Sequence, residues 1–377
     1  MSATGSQDLD HRRVESVEEL EVLARQLADA RLHVLDTESN SGFAYSEHLC
    51  LLQVNVEGAL WVVDLLTLPG GERALESLRA PLESAETRTL LHGGEFDVGC
   101  FKRDYDIALG GVWDTQQAAS FLGWPRTGYG SLVEEVCGVS LDKAYAHYDW
   151  GRRPIAPEAL AYAVDDVRYL PRVAEHLEAE VKRVGLEEEV AIANQTVMAA
   201  TWSRPGSADP IWRLKGVRKL PAEAMPNLVA LWEWRESVAR IEDRPPGRVL
   251  NTELMLALAR RSISGRQGAR SLGLRGRAMR YAAEIEEALE HSRANPPAVP
   301  APVQAPRQSP GEAKRLKRLR DWRRSEAEAR GVPHQVVLPP TAMQFLARNG
   351  AAELASVPQL GAKRARVYGR QLADLCA

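Results

Sequence analysis

"HVLDTES", residues 33–39, decides the fold. It is an apolar run with strand character that places Asp36 and Glu38 two residues apart. Alternate residues of a strand point to one face, so the two carboxylates emerge side by side. Two crowded carboxylates are costly unless a cation lies between them. As a strand end with two surface acids the stretch would carry no chemistry; further acids at the right places make it part of a site.

Working outward, residues 1–15 read as a disordered tail. "SVEELEVLARQLADA" (16–30) is an amphipathic helix with Ser16 and Glu19 forming a capping box. Three strands follow at 32–38, 49–56 and 59–66, and the short Glu57-Gly58 connection makes the last two a hairpin. A helix near 71–83 precedes a strand at 87–93. Helices then dominate: 95–105, a stretch capped by Asp114 and running to about Leu122, 130–138, and 157–184 with a break near Pro171. Strands first, then mixed strand and helix, predict an α/β domain with a central mixed sheet.

The net charge of −3 conceals an asymmetry: residues 1–204 carry 18 Lys+Arg against 34 Asp+Glu, and residues 205–377 carry 30 against 17. An acidic half joined to a basic half points to two tasks, the basic one suited to nucleic acid. No apolar run approaches the ~20 residues of a membrane span. The N-terminal stretch lacks a signal-peptide core, and four scattered cysteines show no metal spacing, so a cytoplasmic setting is expected.

The basic half contains a repeat. Shifted by 88 residues, 231–260 aligns with 319–348 without a gap and with 12 identities in 30 positions, among them Trp234 and Trp322. This is a duplicated small helical domain. The recurring tryptophans are read as helix packing rather than base stacking. "NPPAVPAPVQAPRQSPG" (295–311) is an extended linker. The expected domains are 16–204, 205–292 and 312–377, with a linker at 293–311. Basic clusters at 266–277 and 314–324 are candidate nucleic-acid contacts.

Two further stretches join Asp36 and Glu38. Asp97, in "HGGEFD", falls in the first turn of a helix. In "YAVDDVRYL" (162–170), Tyr162 and Asp166 are four residues apart and share a helix face, which Asp165 does not. Four carboxylates without His or Cys suit Mg²⁺ or Mn²⁺, and they could hold two such ions about 4 Å apart for in-line phosphoryl chemistry. An ordinary phenol, with a pKa of about 10, is a poor base at neutral pH, so Tyr162 is assigned to orienting water.

Residues 32–175 resemble the catalytic domain of the ribonuclease D family, among the DEDD 3′–5′ exonucleases. "LDTE", "HGGEFDVGCFKRDY" and "YAVDDVRYL" match its three motifs, and Tyr at 162 marks the tyrosine-bearing subgroup. The repeats resemble HRDC domains. The resemblance implies a ribonuclease H-like sheet with flanking helices followed by two all-α domains. It also implies metal binding by Asp36, Glu38, Asp97 and Asp166, and stepwise removal of 3′ nucleotides from RNA, typically tRNA precursors, as nucleoside 5′-monophosphates. No obligate protein partner is evident. Ser39 stands where the family usually has an aromatic. Phe43 or Tyr45 could supply the lost stacking surface, or merely pack the loop. Thr37, Lys143, Arg152 and Arg153 are candidate substrate contacts, and Gln53 either lines the pocket or faces out. A DNA exonuclease of the same fold and a catalytically silent nucleic-acid scaffold are the alternatives.

Overall fold

Strand β3 (Leu49–Val56) is buried at every residue, the signature of a strand covered on both faces. It lies within a six-stranded sheet of order β1-β4-β3-β2-β5-β6, formed with β1 (Arg12–Val14), β2 (Leu32–Ser39), β4 (Ala59–Asp64), β5 (Arg88–Leu91) and β6 (Val112–Asp114). The computed structural model describes residues 11–202, 210–261, 265–302 and 308–377. β3 runs antiparallel to β2 and β4, while β1 pairs parallel with β4 and β2, β5 and β6 are mutually parallel. Glu57 (φ 51°) and Gly58 (φ 88°) make the β3–β4 turn, whose two positive φ values match the twist of the hairpin.

The expected disordered tail is corrected in part. Residues 12–14 form β1, registered on Trp61 to Val63, and the Arg12 guanidinium lies 5.1 Å from the Trp61 ring centroid. Strand pairing, Val14 burial and this cation–π contact offset the ordering entropy. Residues 1–10 of that expectation lie outside the described residues.

One face of the sheet, through Leu35, Leu52 and Val54, packs in a core with α1 (Val17–Asp29), α2 (Glu76–Glu83) and α3 (Glu95–Tyr105). The expected capping box on α1 is present, with Ser16 and Glu19 satisfying each other's backbone N–H. The other face, through Val34, Leu51 and Val62, packs on α6 (Pro157–Arg168). Beside them lie α4 (Thr115–Leu122), α5 (Tyr129–Cys137), α7 (Leu170–Val184) and α8 (Glu187–Met198). Asp114 caps α4, accepting from the N–H groups of Gln116 and Gln117.

The chain divides into two units: 1–39, 49–202 and 307–377 form one, and 40–48 with 203–306 form the other. In the second unit, α9 (Met225–Ile241), α10 (Pro246–Val249), α11 (Thr252–Ala259), α12 (Gly265–Ser271) and α13 (Ala282–Ala294) surround one apolar core. The matching set in the first unit is α14 (Pro310–Arg330), α15 (His334–Val337), α16 (Pro340–Asn349) and α17 (Ala362–Cys376). Helices thus run slightly into both ends of the expected 293–311 linker.

The repeat holds at the level of side chains. Trp234 meets Tyr281 edge-on at 5.5 Å, and Trp322 meets Tyr368 at 5.2 Å. Arg235 donates to the Leu250 carbonyl and Arg323 to that of Leu338, 88 residues on in both partners. Both tryptophans therefore pack helices, and two repeated arginines are spent on backbone carbonyls.

The second helical copy packs against the sheet-bearing domain. Val336 is fully buried in a cluster with Ala118, Val133, Leu177 and Val190 of the sheet-bearing domain. Gln335 donates to the Ser120 hydroxyl (2.9 Å), Lys363 pairs with the buried Glu189 (3.0 Å), and the Lys363 backbone N–H meets the Glu188 carboxylate (3.1 Å). A Cβ at Gly361 would lie 2.5 Å from a Glu188 oxygen, so this approach needs glycine.

Candidate active site

Three elements bring the acids together. Asp36 and Glu38 project from β2 on one face, toward α6, which carries Tyr162 and Asp166 one turn apart. Carboxylate oxygens of Asp36, Glu38 and Asp166 lie within 4.8 Å of one another. Asp97, on the first turn of α3, is buried and stands outside that trio. Its Oδ1 accepts a hydrogen bond from the Thr37 hydroxyl, so the residue between the two β2 acids holds the acid of the second motif.

Burial and mutual repulsion decide the protonation of this cluster. Burial, then the charges of Asp166, Asp97 and Glu38, raise the Asp36 carboxyl well above the usual range. Glu38 is raised to about 9 by burial and by Asp166 and Asp97. Asp166 is raised to about 7 by burial and neighbouring Asp165, and Asp97 to about 6, chiefly by burial and against the Thr37 hydrogen bond. Burial and the same acids push the Tyr162 phenol up, so it stays protonated at neutral pH. Its ring stacks 6.5 Å from that of Trp150.

A cluster of acids that crowd one another in a partly buried setting, with hard oxygen donors alone, fits a divalent cation. It has a measurable consequence. These carboxyls have folded-state pKa values above their unfolded ones, so the metal-free chain loses stability as pH rises from about 4.5 through 9, the Glu38 window. A cation needs ionised ligands and gains affinity over the same window. The rise in melting temperature on adding Mn²⁺ is therefore expected to be small at pH 5.5 and to grow steadily to pH 9. Scanning calorimetry at several pH values checks this, and a pH-independent rise would contradict it.

Tyr162 and Asp166 form one wall of a cavity of about 570 Å³, which Lys143, Tyr145, Tyr129 and Pro157 also line. Exposed Lys143 lines the same cavity as Asp166. Arg152 is exposed at the surface. Arg153 is not a substrate contact. Its guanidinium grips the Asp64 carboxylate in a two-bond fork (2.7 and 2.6 Å) and donates to the carbonyls of Trp150, Arg152 and Cys50. A partly buried fork of this kind is a fold element.

Other expectations change as well. The Thr37 hydroxyl is committed to Asp97 rather than to substrate. Phe43 and Tyr45 belong to the second unit, which takes in 40–48. There the Arg248 guanidinium sits 4.6 Å from the Phe43 ring, and Tyr45 is buried in the helical core with its hydroxyl accepting from Arg240. Packing is the role of Tyr45, and Phe43 is covered by a cation. Gln53 does not face out; it is fully buried. Sequence reasoning also missed the Thr37–Asp97 link, because a residue between two alternating strand acids reads as facing away.

A family model described as 3′–5′ exonuclease matches residues 12–182, and one described as HRDC domain matches 227–288 and 312–376. Ribonuclease D from Xanthomonas oryzae pv. oryzae is 33% identical over 230 residues, 60% of this chain and 61% of the relative. Exosome complex component 10 from Mus musculus is 28% identical over 256 residues, 65% of this chain and 28% of the relative. The chain therefore spans less than two thirds of the length of either. Among solved structures, that of Escherichia coli RNase D, described as an exoribonuclease involved in structured RNA processing, superposes with a TM-score of 0.69 at 24% identity. That match covers 97% of this chain and 98% of the other, and establishes the fold.

Proposed function

We propose that this chain, whose residues 12–182 match a 3′–5′ exonuclease family model and whose residues 227–288 and 312–376 match an HRDC model, is a metal-dependent exoribonuclease that trims RNA from its 3′ end. The observation that carries the reading is the cluster of Asp36, Glu38 and Asp166 oxygens, of which Asp166 also lines, with Tyr162, a cavity of nucleotide size. Asp36, Glu38, Asp97 and Asp166 would hold the cations, two Mg²⁺ or Mn²⁺ ions, which supply charge neutralisation and Lewis acidity toward the phosphodiester.

The chain's own groups do the rest. The Tyr162 hydroxyl, kept protonated, orients the attacking water by hydrogen bond rather than removing its proton. Lys143 meets the phosphate at the cavity rim. Water attacks in line, the bond from phosphorus to the 3′ oxygen breaks, and a nucleoside 5′-monophosphate leaves with a new 3′-hydroxyl on the shortened strand. Thr37 keeps Asp97 aimed at the acids on β2.

An acidic site repels phosphate, so affinity for the body of the RNA must come from elsewhere. On α14, Lys314, Lys317, Arg320 and Arg324 are exposed at three- and four-residue spacing, which makes one basic stripe. tRNA precursors, with a structured body and a 3′ extension, suit this division of labour. No described helix is long and apolar enough to cross a membrane.

Digestion of a 3′-extended tRNA with Mn²⁺ or Mg²⁺, beside matched RNA and DNA single strands, tests the proposal. The expected products are 5′-monophosphates, released stepwise from RNA and abolished by EDTA. A strong preference for DNA, or turnover that survives chelation, would overturn it.

A further inference from the structure

Gln53 poses a problem that the reaction described so far leaves unsolved. The residue is fully buried at the centre of β3, and neither Oε1 nor Nε2 has a hydrogen-bond partner. An unsatisfied buried polar group destabilises a fold, so such groups in a native fold have a reason. Asn55, two residues along on the same face, shows what the strand does with an amide that is purely structural. Its Nδ2 donates to the Val167 carbonyl at 3.0 Å and its Oδ1 accepts from the Gly58 N–H at 3.0 Å.

The register shows what Gln53 faces. Across the antiparallel β2–β3 pair its direct partner is Asp36, so the two side chains leave the sheet on one face, with Cβ atoms roughly 4.5–5.5 Å apart. On its other side β4 presents Val62. The surrounding core on this face, Val34, Leu51, Ala163 and Val167 among it, is apolar. Asp36 is therefore the polar side chain that the ladder sets opposite this amide.

We propose that Gln53 is a positioning residue of the metal site: its Nε2 donates to the Asp36 carboxylate once cations occupy the cluster, fixing which oxygen faces the metal. The inference rests on the metal-binding reading above. Outer hydrogen bonds of this kind orient ligating carboxylates, and their loss typically weakens metal affinity by about 10–100-fold. The arrangement makes Gln53 a group that is costly in the metal-free fold and satisfied in the loaded one. A purely structural residue would show the opposite balance.

Gln53→Met keeps length and volume while removing the amide. The variant is expected to bind Mn²⁺ at least about tenfold more weakly by electron paramagnetic resonance titration. Its metal-free melting temperature should be unchanged or higher, because the orphaned amide is gone. Half-saturating Mn²⁺ for cleavage of a short RNA should rise by the same factor, with kcat at saturating metal retained within about threefold. Gln53→Leu, a second apolar variant, should behave alike. Wild-type affinity in both variants, or weaker binding that merely tracks a fall in metal-free stability, overturns the positioning role. Failure of the wild-type chain to bind Mn²⁺ would instead remove the metal site itself, so the two readings fail separately.

Discussion

Asp36→Asn is expected to lower nuclease turnover by about 10³-fold, the several kcal/mol that metal-assisted charge stabilisation contributes at a phosphoryl centre. The same change is expected to raise the melting temperature of the metal-free chain. Asp36 is half-buried near Asp166, Asp97 and Glu38, and all three oppose its ionisation. Asn has the same shape without the charge, so it relieves a repulsion that the native sequence tolerates for function. Asp166→Asn should act in the same direction on both measurements. Steady-state cleavage of a labelled single strand and calorimetry of the metal-free protein check the pair. Unchanged turnover would remove Asp36 from the active site; a lower melting temperature would mean that the repulsion is not felt in the fold.

Val336→Asp should have the largest effect on stability. Val336 belongs by sequence to the second helical repeat, yet it is fully buried among Ala118, Val133, Leu177 and Val190. A carboxylate placed among those apolar side chains loses its hydration, and the neighbouring Arg364 guanidinium is already committed to the carbonyls of Val336 and Gln335, so a penalty of more than about 4 kcal/mol follows. A fall of roughly 10 °C in melting temperature is expected. Val336→Ala, which removes two methyl groups and adds no charge, should cost about 2 kcal/mol. Wild-type melting of Val336→Asp would show that the domain undocks freely in solution. Removing residues 308–377 takes away the basic helix α14 and also uncovers the apolar side chains that Val336 packs against, so loss of RNA affinity in such a truncation must be read beside the Val336 variants.

Much of the site was legible because its signals are local. The alternation of Asp36 and Glu38 and the four-residue spacing of Tyr162 and Asp166 follow from strand and helix periods alone. The capping box of α1, the Asp114 cap of α4 and the Glu57-Gly58 hairpin are likewise written in neighbouring residues, and the 88-residue repeat is read directly by aligning the chain with itself. The repeat even carries its three-dimensional meaning, since Arg235 and Arg323 reach equivalent carbonyls.

What only tertiary structure decided are choices between partners far apart in the chain. Arg153 reads as a phosphate contact until Asp64, 89 residues away, claims its guanidinium. Tyr45 reads as a stacking platform until Arg240 and the helical core enclose it. Thr37 holds Asp97 across 60 residues, and Gln53 is set opposite Asp36 only by the β2–β3 register. HVLDTES thus determined by itself that two carboxylates emerge together, because side-chain direction along a strand is a property of the local backbone. Which third acid joins them, which hydroxyl steadies the fourth and which amide waits behind the first are set by packing between distant segments, and one-dimensional periodicity carries no information about it.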